Sequence, residues 1–194
     1  NWNRIPFYSR SSVPNGNGPG GTYGTYAQDT IIDGQGLYVT RSDPSYAGTF
    51  LFENNITFNN GKNGIHFDHS HSARGIIRNN TIYQNGSTSL VQSEHAEPNK
   101  VAGINSRNVT SVSVTNNIVV TRNNQYSAIG IYATDDFQND GYTLTKVVKN
   151  NLFVNGTLTG TTPLDPSNML NINPEFVNPT SDYETADFNL GANS

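Results

Sequence analysis

"NGIHFDHSHSARGIIRNNTIYQNG", Asn63–Gly86, decides how the rest of the chain is read. Three of the four histidines fall in it, His66, His69 and His71, and the fourth, His95, follows shortly after. Its layout is a Gly-led apolar strand, a polar bend, a second apolar strand, an Asn-Asn pair and a third short strand. The same order recurs in "GLYVTRSDPSYAGTFLFENNITFNNG" (Gly36–Gly61), "GINSRNVTSVSVTNNIVVTRNN" (Gly103–Asn124) and "GIYATDDFQNDGYTLTKVVKNNLFVNG" (Gly130–Gly156). The Asn pairs are Asn54-Asn55, Asn79-Asn80, Asn116-Asn117 and Asn150-Asn151. The leading glycines are 28, 39 and 27 residues apart. The long middle interval holds an inserted loop, "STSLVQSEHAEPNKVA", and a smaller insertion, "DDFQNDG", lengthens the fourth repeat.

No segment shows helical periodicity over a useful length. A unit of three short strands cannot bury its apolar side chains alone, but stacked on its neighbours it can. The pattern predicts a solenoid of parallel strands, one coil per repeat, with stacked strands about 4.8 Å apart. Asparagines repeated at one bend can hydrogen-bond up such a stack, and Asn tolerates left-handed backbone there.

These repeats resemble the right-handed parallel β-helix of the pectate-lyase-like superfamily. The tail "NINPEFVNPTSDYETADFNLGANS" is similar to the Asn-Pro-x-Phe-Val…Asp-Phe-x-Leu ending of bacterial β-helix proteins. The resemblance runs from Gly36 to Leu190 and implies an all-β, right-handed parallel β-helix of about four to six coils. It implies a single domain over 1–194: an N-terminal edge or cap (1–35), four recognisable coils (36–156) and a C-terminal coil or cap (157–194). The superfamily hosts lyases, hydrolases, epimerases and non-catalytic fibres, so function has to come from the site.

Composition narrows the classes further. A chain of 194 residues suits one domain with a real core. Charged residues are only 13% and the net charge is −4, with no basic run to neutralise phosphates, which argues against a nucleic-acid partner. Cysteine is absent, which removes disulfides, thiolate metal sites and cysteine nucleophiles. No apolar stretch reaches membrane-spanning length, so no membrane insertion is expected. The chain starts at Asn1 without a signal peptide and reads as a processed product, secreted, periplasmic or on the cell surface.

Strand side chains alternate, so the aligned repeats assign faces. Leu37 and Val39, Ile65 and Phe67, Ile104 and Ser106, and Ile131 and Ala133 should point inward. Two outward columns follow, one of Tyr38, His66, Asn105 and Tyr132, the other of Thr40, Asp68, Arg107 and Thr134. A third, on the second strand, is Glu53, Arg78, Thr115 and Lys149, where Glu53 and Arg78 should form a surface ion pair of about 0–1 kcal/mol.

Tyrosines with imidazole and amide groups along a groove suit a polysaccharide, whose rings have apolar faces and hydroxyl rims. The inserted loop, with Glu94, His95, Glu97 and Lys100, and the acidic insertion could wall the same face. Substrate-binding candidates are therefore Tyr38, Asn105, Tyr132, Glu94, His95 and Lys100. β-Elimination on a uronate needs a group to neutralise the carboxylate, a base and an acid. Arg107 or Lys100, His66, and Tyr38 or Tyr132 can fill those places, which makes His66, Asp68 and Arg107 the catalytic candidates. Hydrolysis would need two carboxylates, Asp68 with Glu94, Glu97, Asp135 or Asp136. A non-catalytic carbohydrate-binding, adhesive or structural role is the third class. The only cofactor candidate is calcium at Asp135, Asp136 and Asp140, which offer hard oxygens on a flexible loop. A zinc site in "HFDHSHS" fits the known spacings poorly. On this reading His66 is a groove residue, and His69 and His71 are turn histidines exposed to solvent.

Overall fold

The computed structural model describes residues 8–9, 30–31, 35–86, 101–122, 127–132, 145–161, 163–180, 182–192 and 194. β1 (Tyr8–Ser9) and β2 (Thr30–Ile31) form a short antiparallel pair. The first coil follows as β3 (Leu37–Thr40), β4 (Thr49–Glu53) and β5 (Ile56–Phe58). The second is β6 (Ile65–Arg78) and β7 (Thr81–Tyr83), and the third is β8 (Val101–Thr115) and β9 (Ile118–Val120). The fourth is β10 (Ser127–Tyr132), β11 (Thr145–Lys149) and β12 (Leu152–Val154). β13 (Thr157–Thr159) and β14 (Met169–Leu170) belong to a fifth. β15 (Phe176–Asn178) and β16 (Asp187–Leu190) pair as an antiparallel hairpin.

All pairing between coils is parallel, with each strand on its counterpart in the next coil. Each coil has three faces. The first stacks in the order β3, β6, β8, β10, β13, and the third in the order β5, β7, β9, β12, β14. The long strands β6 and β8 run from the first face into the second, where they meet β4 and β11.

The corners show how the sequence folds the chain. Single residues with positive φ make each turn: Arg41, His69 and Asn108 between the first and second faces, and Asn54, Asn79, Asn116 and Asn150 between the second and third. Asn59, Gln84, Asn155 and Asn171 close the third corner. Asparagine is favoured there because its side chain can stabilise left-handed backbone locally. In each Asn-Asn pair the first residue takes the turn and the second joins a ladder. Asn55, Asn80, Asn117, Asn151 and Asn168 form its five rungs. Each amide Nδ2 donates to the next rung's Oδ1 at 2.9–3.0 Å, and the backbone N–H donates to the same oxygen at 3.0 Å.

Inward side chains stack in columns that fill the core. Leu37, Ile65, Ile104, Ile129 and Leu158 form one column, and Val39, Phe67, Ser106 and Ile131 form another. Phe67 is fully buried against Phe50 and Phe52, at ring separations of 5.7 and 6.1 Å. Its ring needs Gly75, where a Cβ would lie 2.6 Å from it. On the surface Arg78 and Glu53 pair as expected, with Nε 2.6 Å from Oε1. The tail hairpin lies along the side of the solenoid. Phe188 packs on Phe58 (5.1 Å) and Tyr83 (5.2 Å), and the Tyr83 hydroxyl donates to the Pro179 carbonyl (3.0 Å).

One register differs from the alignment of leading glycines. Ile129, not Ile131, stands beside Ile104, and Gly130 pairs with Asn105. Ala128 takes the place opposite Gly103, whose Cβ would strike the Ala128 carbonyl at 1.9 Å. The glycine that mattered is therefore in the third coil, and "AIGIY" slides by two residues. Such a shift keeps Ile131 inward, because the strand period is two. It moves Tyr132 away from Asn105 and makes it the partner of Arg107.

Candidate functional site

The first face positions the cluster. β3, β6 and β8 bring Thr40, Asp68 and Arg107 into one column and Tyr38, His66 and Asn105 into the next. Asp68 is its centre and is fully buried. Oδ1 accepts from the Thr40 hydroxyl. Oδ2 faces three nitrogens: Arg107 Nε, which donates at 3.2 Å, His69 Nδ1 at 3.1 Å and His66 Nε2 at 3.1 Å. The His66 nitrogen is in ion-pair reach but poorly aligned for a linear hydrogen bond. Tyr38 lies flat on the His66 ring, with centroids 4.8 Å apart and planes within 16°.

Burial alone would raise the Asp68 pKa. The nearby imidazoles of His66 and His69 and the Thr40 hydroxyl override it and hold the carboxyl far below the ordinary carboxylate range. Asp68 is thus a permanent anion. His66 is pushed the other way. Burial lowers its pKa below the usual imidazole value despite the opposing pull of Asp68, and the positive charges of Lys62 and Arg107 lower it further. The ring is neutral at pH 7. An ionised carboxylate favours the proton on the nitrogen facing it, Nε2, which leaves the Nδ1 lone pair free. Nδ1 is buried and has no hydrogen-bond partner among the described residues.

A stability profile follows from these two shifts. Below about pH 6.5 the unfolded chain takes a proton at His66 that the folded chain refuses, and below about pH 4 it takes another at Asp68. Stability therefore falls as pH drops through each value. Melting temperatures across pH should be level above pH 7 and decline from about pH 6.5. In His66→Gln the decline should begin only near pH 4; an unchanged profile in that variant would remove His66 as its cause.

His66, Asp68 and Arg107 do converge, with Tyr38 and Asn105 beside them. The groove, however, is not open, because His66 and Asn105 are each only 2% exposed and Asp68 is fully buried. Tyr38, at 46%, faces solvent. His69 does not belong to a solvated turn. Its left-handed backbone (φ 43°) turns the chain so that its ring and the preceding Asp68 carboxylate meet, which an extended strand would forbid. Sequence reasoning missed His69 and Thr40 as partners of Asp68. The signal for His69 was its alignment with Asn108, a residue type common at left-handed corners. Glu94, His95, Glu97 and Lys100 lie outside the described residues, as do the calcium candidates Asp135, Asp136 and Asp140. Among the described residues no three His, Asp or Glu side chains form a group that could hold a metal ion. His66 and His69 instead converge on one Asp68 oxygen, Oδ2, each at 3.1 Å.

A comparison with protein families matches the chain to the right-handed β-helix region over residues 20–173. The chain belongs to the right-handed β-helix family. The match covers well over half of the sequence and sets the hand of the solenoid. No curated protein and no solved structure matches the chain. Family membership of this β-helix fixes the scaffold, and the chemistry has to be argued from the cluster at Asp68.

Proposed function

We propose that this β-helix protein acts outside the cytoplasm as a lyase on an acidic polysaccharide, cleaving it by β-elimination at His66, Asp68 and Arg107. The observation that carries this is the state of His66. Asp68 Oδ2 lies 3.1 Å from its Nε2, burial keeps it neutral, and Nδ1 is left as an unoccupied base.

In the reaction, which requires the polymer to displace what now covers His66, Nδ1 takes the proton from the carbon next to the uronate carboxylate. The resulting imidazolium is stabilised by Asp68. The Arg107 guanidinium, tied to Asp68 through Nε, has its outer nitrogens for the substrate carboxylate. A carbon–carbon double bond forms as the glycosidic carbon–oxygen bond breaks. The Tyr38 phenol, stacked on His66, supplies the proton to the leaving oxygen. Glycosidic hydrolysis would use the ionised Asp68 only as base or nucleophile, and its acid would have to come from Glu94, Glu97, Asp135 or Asp136, which lie outside the described residues.

The test is a panel of uronate polymers assayed for the ultraviolet absorbance of an unsaturated uronate end. The wild type should give that product with at least one polymer. His66→Ala should lose the signal while keeping the wild-type circular dichroism. New reducing ends without unsaturation would replace the lyase with a hydrolase, and binding without any product would leave a carbohydrate-binding module.

A further inference from the structure

The corrected register changes what lies beside His66. The outward column reads Tyr38, His66, Asn105, Gly130 and Thr159. Tyr38 covers one side of His66, and Asn105 stands on the other. Beyond Asn105 the column offers no side chain, because the next position is Gly130. Asn105 Oδ1, like His66 Nδ1, is buried and has no hydrogen-bond partner among the described residues. Two adjacent coils therefore each present an unused acceptor on the same face, one interstrand step of about 4.8 Å apart.

An orphaned buried acceptor destabilises a fold. This chain does not tolerate such acceptors in its ladder. The Oδ1 atoms of Asn80, Asn117, Asn151 and Asn168 each accept two N–H groups. Asn63 and Asn108 also have unpartnered amide atoms, but neither stands beside His66 in the column. Two acceptors call for a ligand that donates. An ionised carboxylate cannot, whereas a sugar hydroxyl can.

We propose that Asn105 is a specificity-determining residue, whose Oδ1 accepts a hydrogen bond from a free hydroxyl on the uronate unit that His66 deprotonates. This rests on the β-elimination reading and adds a requirement to it: the hydroxyl must be unsubstituted. An O-acetylated unit has no proton to give and would set an ester oxygen against the amide oxygen. A site built around a hydrogen bond rejects an analogue that lacks it, because its own buried group is then left unpaired.

The experiment uses one uronate polymer in de-acetylated and chemically O-acetylated forms, with wild type and Asn105→Leu. The wild type should bind and cleave the free-hydroxyl form at least about tenfold better. Asn105→Leu should raise KM about tenfold or more on the free-hydroxyl polymer, with kcat less affected, and lose the discrimination. Its unliganded Tm should rise, by about 2–4 °C, because an apolar side chain of similar shape replaces an amide whose oxygen is unsatisfied. A structural role for Asn105 predicts the opposite sign. A lower Tm together with intact discrimination would overturn the proposal while leaving the lyase reading in place. Binding is followed separately by affinity electrophoresis. If the wild type binds the de-acetylated polymer without cleaving it, and Asn105→Leu weakens that binding, the lyase reading falls and the role of Asn105 in recognition stands. Should the wild type neither bind nor cleave any uronate polymer, both are overturned.

Discussion

Asn117→Ala should cost this protein more stability than any other single change in the amide ladder, about 3 kcal/mol or more. Asn117 is 1% exposed and sits third of the five rungs. Its Oδ1 accepts from the backbone N–H and the side-chain amide of Asn80, at 3.0 and 2.9 Å. Its Nδ2 lies 2.9–3.0 Å from Asn151 Oδ1 and from the carbonyls of Ile77 and Thr115. Truncation leaves the buried Asn80 backbone N–H without its acceptor and takes a donor from the Ile77 and Thr115 carbonyls. Asn55, the first rung, is the internal comparison. Its side chain donates to Asn80 Oδ1, but its backbone N–H bonds the same oxygen and survives substitution. Asn55→Ala should therefore lose only about 1 kcal/mol. Chemical denaturation of both variants measures the difference. In a solenoid, stability is close to a sum of coil and interface terms. A central defect weakens the interfaces on both its sides, whereas an end defect weakens one. Equal losses at Asn55 and Asn117 would show that the ladder is not shared between coils.

The scaffold was legible because its rules are repetitive. The Asn pairs and the apolar alternation recur at the same point of each coil, and the Glu53–Arg78 pair stands where the repeat predicts. Register in the fourth coil was less legible, since Gly130 imitates the leading glycine and a two-residue slip preserves the inward face. Only packing decides between the two, and the contact that decides it is Gly103 against the Ala128 carbonyl. In the site, the column rule brought His66, Asp68 and Arg107 together but did not show how they are joined. Alternation treats Asp68 and His69 as pointing apart, and a left-handed corner reverses that locally. Burial was also out of reach of the pattern, which distinguishes inward from outward positions. It does not show that an outward histidine is covered, and covering is what makes His66 neutral.

The second large effect is expected at Asp68. Asp68→Asn keeps the size of the side chain and an oxygen for Thr40 or Arg107, so the coil should still fold. The charge is gone, however, and with it the reason for His66 to carry its proton on Nε2. The two tautomers then compete, and the imidazolium formed on proton abstraction has no counterion. Turnover on the uronate polymer should fall roughly 10²–10⁴-fold. A loss of rate alone would not separate this role from damage to packing, but the pH profile does. In the wild type Asp68 raises the His66 pKa against the larger effect of burial. Without that carboxylate the His66 pKa must fall further, and the acidic limb of kcat/KM should move to lower pH. Arg107, released from Nε pairing, should change KM as well, because the same guanidinium is assigned to the substrate carboxylate. Full activity in Asp68→Asn, or a slow variant whose acidic limb stays where it was, would reduce Asp68 to a buried ion pair that happens to touch a histidine.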